Sequence, residues 1–173
     1  MSKQALPLST PVAVIGAGAM GAGIAQVAAQ AGHPVRLLDN RPGAAEQAVA
    51  GIRAQLAKLA DKGRLSPEAA QAAGDRLSAA ASSAELADAG LVIEAIVEDL
   101  DAKQTLLRDL EQRVGADTLL ASNTSSLSIT ALASVCHDPG RIAGLHFFNP
   151  VPLMRLVEVV DGLATRADVA PRL

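Results

Sequence analysis

Val12-Ala13-Val14-Ile15-Gly16-Ala17-Gly18-Ala19-Met20-Gly21-Ala22-Gly23 is the stretch whose reading decides the fold. Four apolar residues run into Gly16-x-Gly18-x-x-Gly21, and alanine-rich, helix-favouring sequence follows at once. Glycines at this spacing also arise by chance in a chain that holds 14 of them, so their context carries the meaning. Strand, turn and helix are all present here. Gly16 permits the tight turn, Gly18 lets a pyrophosphate approach the backbone, and Gly21 lets the new helix pack against the strand it left. The unpaired N–H groups and positive dipole end of that helix then form an anion site without a charged side chain.

A second strand, Pro34-Val35-Arg36-Leu37-Leu38, ends at Asp39, 18 residues beyond Gly21. A carboxylate there accepts hydrogen bonds from both hydroxyls of a ribose diol and repels a 2′-phosphate, which points to NAD over NADP. Arg41, just past the acid, is a residue type that could contact a 2′-phosphate.

The 173 residues suit one domain with a real core, half of it hydrophobic and a fifth of it charged. A net charge of −3, with two Phe and no Trp or Tyr, offers no basic or stacking face for nucleic acid. No apolar run approaches the roughly 18 residues of a membrane span, and Met1-Ser2-Lys3-Gln4 leads into no signal-type core, so a cytoplasmic protein is expected. Cys136 is the only cysteine and reads as a structural thiol. The three His are scattered, so no metal site is expected.

After Asp39 comes an excursion of about 50 residues before the next clear strand, long for one crossover. Val49, Ile52, Leu56 and Leu59 recur at helical spacing, with Pro42 at the start and Gly63 at the end. Ser66-Pro67 opens a second helix, so a helical hairpin is inserted here, followed by a weak strand near Leu77 to Ala81. Leu91-Val92-Ile93 and Thr118-Leu119-Leu120-Ala121 read as strands around a helix from Asp101 to Val114. Such alternation implies an α/β, Rossmann-type, doubly wound and mostly parallel sheet, whose ligands gather beyond the carboxyl ends of the strands. Gly16 to Gly21, Glu94 to Asp99 and Ser122 to Ser126 fall at that edge. The polar ends, Met1 to Ser9 and Thr165 to Leu173, are expected to be loosely ordered.

Arg141 to Phe148 and Met154 to Val160 read as strands joined by Asn149-Pro150-Val151-Pro152, a link too short for a parallel crossover. In an antiparallel pair centred on Pro152, His146 faces Glu158 with Cβ atoms about 5 Å apart. Glu158 is flanked by apolar residues, and a carboxylate touching an imidazole fixes its tautomer and orients it as a general base. Oxidising an alcohol with a nicotinamide needs such a base for the hydroxyl proton. The same pair would also serve as a plain staple between two strands. His33 and His137 sit in turns without catalytic neighbours, and Ser122, Ser125 and Ser126 read as hydrogen-bond donors.

The glycine run with Met20, the segment Val92-Ile93-Glu94-Ala95-Ile96-Val97-Glu98, the segment Ala121-Ser122-Asn123-Thr124-Ser125-Ser126-Leu127, and Gly144-Leu145-His146-Phe147-Phe148-Asn149-Pro150-Val151-Pro152 with Leu156-Val157-Glu158-Val159 together resemble 3-hydroxyacyl-CoA dehydrogenases. Related β-hydroxyacid dehydrogenases share the glycines but use a Lys and lack the His-Phe-Phe-Asn-Pro signature. The resemblance implies an NAD-dependent oxidation of a 3-hydroxyacyl-CoA to the 3-ketoacyl-CoA, with His146 as base, Glu158 orienting it and Ser125 binding the substrate oxygen. It implies cofactor contacts at Gly16, Gly18, Ala19, Met20, Gly21, Asp39, Ala95, Glu98, Lys103, Asn123, Ser125 and Asn149. Asn149, Ser125, Gln55 and Lys62 would meet the acyl-CoA, with Lys58 and Arg64 assisting by charge; Lys62 reads equally well as a surface lysine. Without the resemblance, Lys103 reads as a solvated helix residue. The family's second, all-helical domain, which closes over the substrate and makes most of a homodimer interface, has no counterpart in residues 1–173, so these are expected to be the cofactor domain, weakly active or inactive alone. A non-catalytic nucleotide-binding relative is the alternative.

Overall fold

The structure, a computed structural model, describes residues 5–173. Strand β1 (Val12–Ile15) leads into helix α1 (Ala19–Ala31) and β2 (Val35–Leu38); α2 (Ala44–Asp61) and α3 (Pro67–Asp75) follow, then β3 (Leu77–Ala79). Next come β4 (Leu91–Glu94), α4 (Leu100–Arg113), β5 (Leu119–Ser122), α5 (Ile129–Ala133), β6 (Ile142–Phe147) and β7 (Val157–Asp161). The sheet runs β3-β2-β1-β4-β5-β6-β7. Every neighbouring pair is parallel except β6 and β7. The Rossmann-type, doubly wound sheet with an antiparallel edge pair is therefore as expected.

Buried strands in such a sheet are apolar on both faces because helices cover both. Along β1, Val12 and Val14 join the core under α1, α2 and α3, whereas Ala13 and Ile15 join the core under α4 and α5. The inserted hairpin does not stand clear of the sheet. Val49, Ile52 and Leu56 of α2 share the core of α1 and β2, while the α2 face carrying Gln55 and Lys58 is exposed.

Helix boundaries follow local chemistry. The expected start at Pro42 moves to Ala44, because Gly43 takes the N-cap position with φ +75°. Gly63, at φ +65°, ends α2 as expected, its N–H donating to the Ala60 carbonyl. Ser66 caps α3 by accepting from the Ala69 N–H, with Pro67 at the first helical position. Asp99 caps α4 the same way through Ala102, so that helix spans Leu100–Arg113. The sequence reading missed α5, whose five residues are too few to show a period and whose clearest sign is the Ser128 cap.

Two expectations are corrected. The last strand starts at Val157 and not at Met154, because the Leu153 and Met154 N–H groups both turn back to the Pro150 carbonyl and hold the link in a turn. The end of the chain is packed, since Val169 is fully buried and the Leu6 N–H donates to the Arg172 carbonyl. At the other end, Met1 to Gln4 lie outside the described residues.

Candidate functional site

The strand order reverses direction between β1 and β4, and a cleft of about 840 Å³ opens beyond their carboxyl ends. It is lined by Gly16, Gly18, Asp39, Arg41, Ala95 and Ile96 among others. This is where an open α/β sheet binds a ligand. Gly16 has φ +102°, and a Cβ there would stand 2.5 Å from the Ala95 carbonyl oxygen. A Cβ on Gly21 would stand 1.7 Å from the Gly16 carbonyl oxygen, so α1 sits directly on the turn. In front of Gly18 a Cβ would meet, among the described residues, no atom within 4 Å beyond its own chain neighbours. No side chain caps α1 at Gly18, which leaves the N–H groups of its first turn to an anion. Close packing behind the turn, space before it and an uncapped helix start fit a pyrophosphate.

Asp39 leaves the end of β2 for the same cleft. Its Oδ2 accepts from the Ala17 N–H at 2.6 Å and from Arg41 Nη2 at 3.1 Å. Its Oδ1 accepts from the Arg41 backbone N–H and from Arg41 Nε, each at 2.9 Å. The Arg41 guanidinium, helped by these N–H groups against the cost of burial, holds the carboxyl well below the usual carboxylate range. The acid is thus a fixed anion, suited to accept from a ribose diol.

A second cleft, about 340 Å³, shares Ala95 and Ile96 with the first and is lined by Met20, Glu98, Lys103, Asn123, Ser125, His146, Phe148 and Asn149. The register of β6 and β7 pairs His146 with Glu158, as the spacing implied. His146 Nδ1 lies 2.9 Å from Glu158 Oε2, and since a carboxylate only accepts, Nδ1 carries the hydrogen and Nε2 is left for another partner. Phe148 packs on the imidazole at 4.4 Å between ring centroids. That contact follows the His-Phe-Phe order, since residues two apart in an extended segment lie on the same face.

Ser125 sits on the loop after β5, and Glu98 organises that loop. Glu98 accepts from the Thr124 hydroxyl, from the Ser125 N–H at 3.1 Å and from the Ser126 N–H at 3.3 Å. Burial opposes ionisation of Glu98, but the Thr124 hydroxyl, the Lys103 charge and the Ser125 N–H outweigh it and keep its carboxyl below the ordinary value. Asn123 ties the loop to β6 by accepting the Phe147 N–H at 2.9 Å.

Lys103 is not a solvated helix residue: its side chain is 1% exposed. Its ammonium donates to both Glu94 oxygens at 2.9 and 2.8 Å and lies 3.4 Å from Glu98. The Ser122 hydroxyl also donates to Glu94. Sequence reasoning missed Glu94 and Ser122 as members of this network. The available signal was a carboxylate ending an apolar run, which needs a buried partner.

Gln55 and Lys62 are exposed and line neither cleft, so the structure does not bring them to His146 or Asp39. His33 binds the Thr10 carbonyl at 3.0 Å, far in topology from the strand carboxyl ends. Burial, followed by the Glu111 charge, pushes the Cys136 thiol up to about 11. Among the described residues no group of His, Cys, Asp and Glu is placed to hold a metal, and no helix is long and apolar enough to cross a membrane.

Residues 11–173 match the family described as 3-hydroxyacyl-CoA dehydrogenase, NAD binding domain. The chain is 49% identical over 162 residues to the 3-hydroxyadipyl-CoA dehydrogenase of Escherichia coli (strain K12), which covers 94% of this chain and 34% of that protein. It is 45% identical over 159 residues to the probable 3-hydroxybutyryl-CoA dehydrogenase of Bacillus subtilis (strain 168), covering 92% and 55% respectively. The crystal structure of 3-hydroxybutyryl-CoA dehydrogenase from Escherichia coli K12 superposes with a TM-score of 0.91 at 49% identity, covering 95% of this chain and 35% of that one. The chain spans about a third to just over half the length of these relatives.

Proposed function

The chain belongs to the 3-hydroxyacyl-CoA dehydrogenase family, as an NAD-binding domain, and from this premise we propose that it carries the cofactor site and the acid–base pair for NAD-dependent oxidation of an (S)-3-hydroxyacyl-CoA to the 3-ketoacyl-CoA. The observation that carries the reading is the His146–Glu158 pair at a cleft that shares the Ala95–Ile96 wall with the Gly16–Gly18–Asp39 cleft. Asp39 holds the adenine-side ribose, the first turn of α1 at Ala19 and Met20 holds the pyrophosphate, and Ala95, Glu98, Lys103, Asn123 and Asn149 surround the nicotinamide end. Bound NAD supplies the hydride acceptor.

Ser125 donates to the substrate hydroxyl oxygen and positions it at His146. As the carbon loses hydride, His146 Nε2 takes the hydroxyl proton, and Glu158 holds the imidazole by its Nδ1–H throughout. In the reverse direction the imidazolium returns that proton to the carbonyl oxygen. Gln55 and Lys62, on the exposed face of the helical hairpin, meet the CoA portion, and a second, helical domain completes closure over the acyl chain and pairs the protein as a homodimer. The setting is the cytoplasm, with Cys136 as an unoxidised thiol.

Acetoacetyl-CoA reduction followed by NADH consumption tests the reading, together with NADH fluorescence titration of the chain alone. NADH binding with weak turnover by residues 1–173 is the expected result. Failure of NADH to bind, or an unchanged rate in a His146→Gln form of the complete enzyme, overturns it.

A further inference from the structure

We infer that the Arg41 side chain occupies Asp39 in the cofactor-free chain, yields it to the ribose diol when a dinucleotide binds, and then faces the ribose 2′ position, so that one residue sets both NADH affinity and tolerance of NADPH. The inference rests on the reading of the cleft as the NAD site. An ionised carboxylate has about four acceptor positions. All four on Asp39 are taken, by the Ala17 N–H, the Arg41 N–H, Arg41 Nε and Arg41 Nη2. A ribose diol donates two hydrogen bonds to this same acid, so two existing ones must be released.

Which two is decided by where the donors sit. The Ala17 N–H belongs to the turn after β1 and the Arg41 N–H to the backbone two residues beyond Asp39, so neither can leave. The guanidinium rides on a flexible stem. Its side chain is 67% exposed whereas that of Asp39 is 6% exposed. The guanidinium half of the pair stands in water and can swing away at little cost, while the buried carboxylate exchanges one pair of donors for another, so a bound nucleotide can displace it. The released guanidinium stays at the rim, because Arg41 lines the cleft alongside Asn40 and Asp39. A planar, permanently charged fork beside a ribose is a strong partner for a 2′-phosphate, which Asp39 alone would repel.

Arg41→Ala removes only the two side-chain bonds and leaves both backbone donors aiming Asp39, so the site keeps its shape. Fluorescence titration of the chain with NADH and with NADPH, for wild type, Arg41→Ala and Arg41→Lys, reads the outcome. Arg41→Ala should bind NADH about two- to fivefold more tightly and NADPH at least about tenfold more weakly. Arg41→Lys, which keeps the charge without the fork, should tighten NADH as well but lose less NADPH affinity. Parallel loss of both nucleotides, or unchanged dissociation constants, would mean that Arg41 is merely structural and overturns the inference while leaving the NAD site standing. Absence of NADH binding by wild type overturns both.

Discussion

At the scale of single residues, the proposed chemistry rests on His146, an imidazole whose partner Glu158 is set by strand register. His146→Gln should lower acetoacetyl-CoA reduction by a complete enzyme about 10²- to 10⁴-fold while leaving the NADH dissociation constant of the chain within about twofold, since the residue touches the proton and not the dinucleotide anchors. Stopped-flow absorbance and fluorescence titration separate the two effects. Cys136 supplies a pH prediction. Its thiol is raised from 9.0 to about 11, mainly by burial. Alkylation by iodoacetamide at pH 8 should therefore run about a hundredfold slower than in the unfolded chain, because only the thiolate reacts. The sign for stability follows: the unfolded state gives up this proton first, so the thiol's contribution is intact below about pH 9 and lost as the pH rises toward about 11. His146, Glu158 and Asp39 were legible because each sits at a spacing with one geometric solution. Arg41's grip on Asp39 was not, because a long side chain two positions from an acid has many rotamers and only the folded cleft selects one.

At the scale of elements, α1 and α4 are each seated by a contact with no slack. Gly21→Ala would bring a Cβ to 1.7 Å from the Gly16 carbonyl oxygen, so α1 must lift from β1. A loss of about 1–3 kcal/mol in stability and abolished NADH binding are expected, read by thermal melting and by titration. Helix α4 is tied to β4 by Lys103 and Glu94, both 1% exposed. Removing one partner leaves a buried charge unpaired, so Lys103→Met should cost about 3–5 kcal/mol in urea denaturation, and the Glu94→Leu, Lys103→Met double variant should cost less than that single change. The existence and type of these elements were readable from periodicity and caps. The depth at which Lys103 lies was not, since a lysine within a helical pattern looks solvated until the helix is placed against its strand. The start of β7 was missed for a related reason: hydrophobicity continues through Met154 and Leu156, while the turn at Pro150 decides where pairing can begin.

At the scale of the whole molecule, the cleft proposed to hold the cofactor joins the two halves of the sheet at the β1–β4 reversal, so its occupancy should stabilise the chain as a unit. NADH at one hundred times its dissociation constant should add about 2.7 kcal/mol and raise the melting temperature by about 5–10 °C. Differential scanning fluorimetry checks this, with Asp39→Ala expected to lose most of the shift at the same NADH concentration. The sequence by itself determined the alternation of strands and helices that marks a Rossmann-type sheet, the glycine turn, the acid at the end of β2 and the His146–Glu158 pairing. These follow from local steric rules and a two-residue strand period, which act on neighbours along the chain or across one short turn. Only the tertiary structure decided that Glu94 and Lys103 meet as a buried pair, that Glu98 gathers the loop bearing Ser125, and that Arg41 closes on Asp39. Those arrangements join residues from separate elements, and burial sets which charges must find one another; no pattern along the chain encodes that before the elements pack.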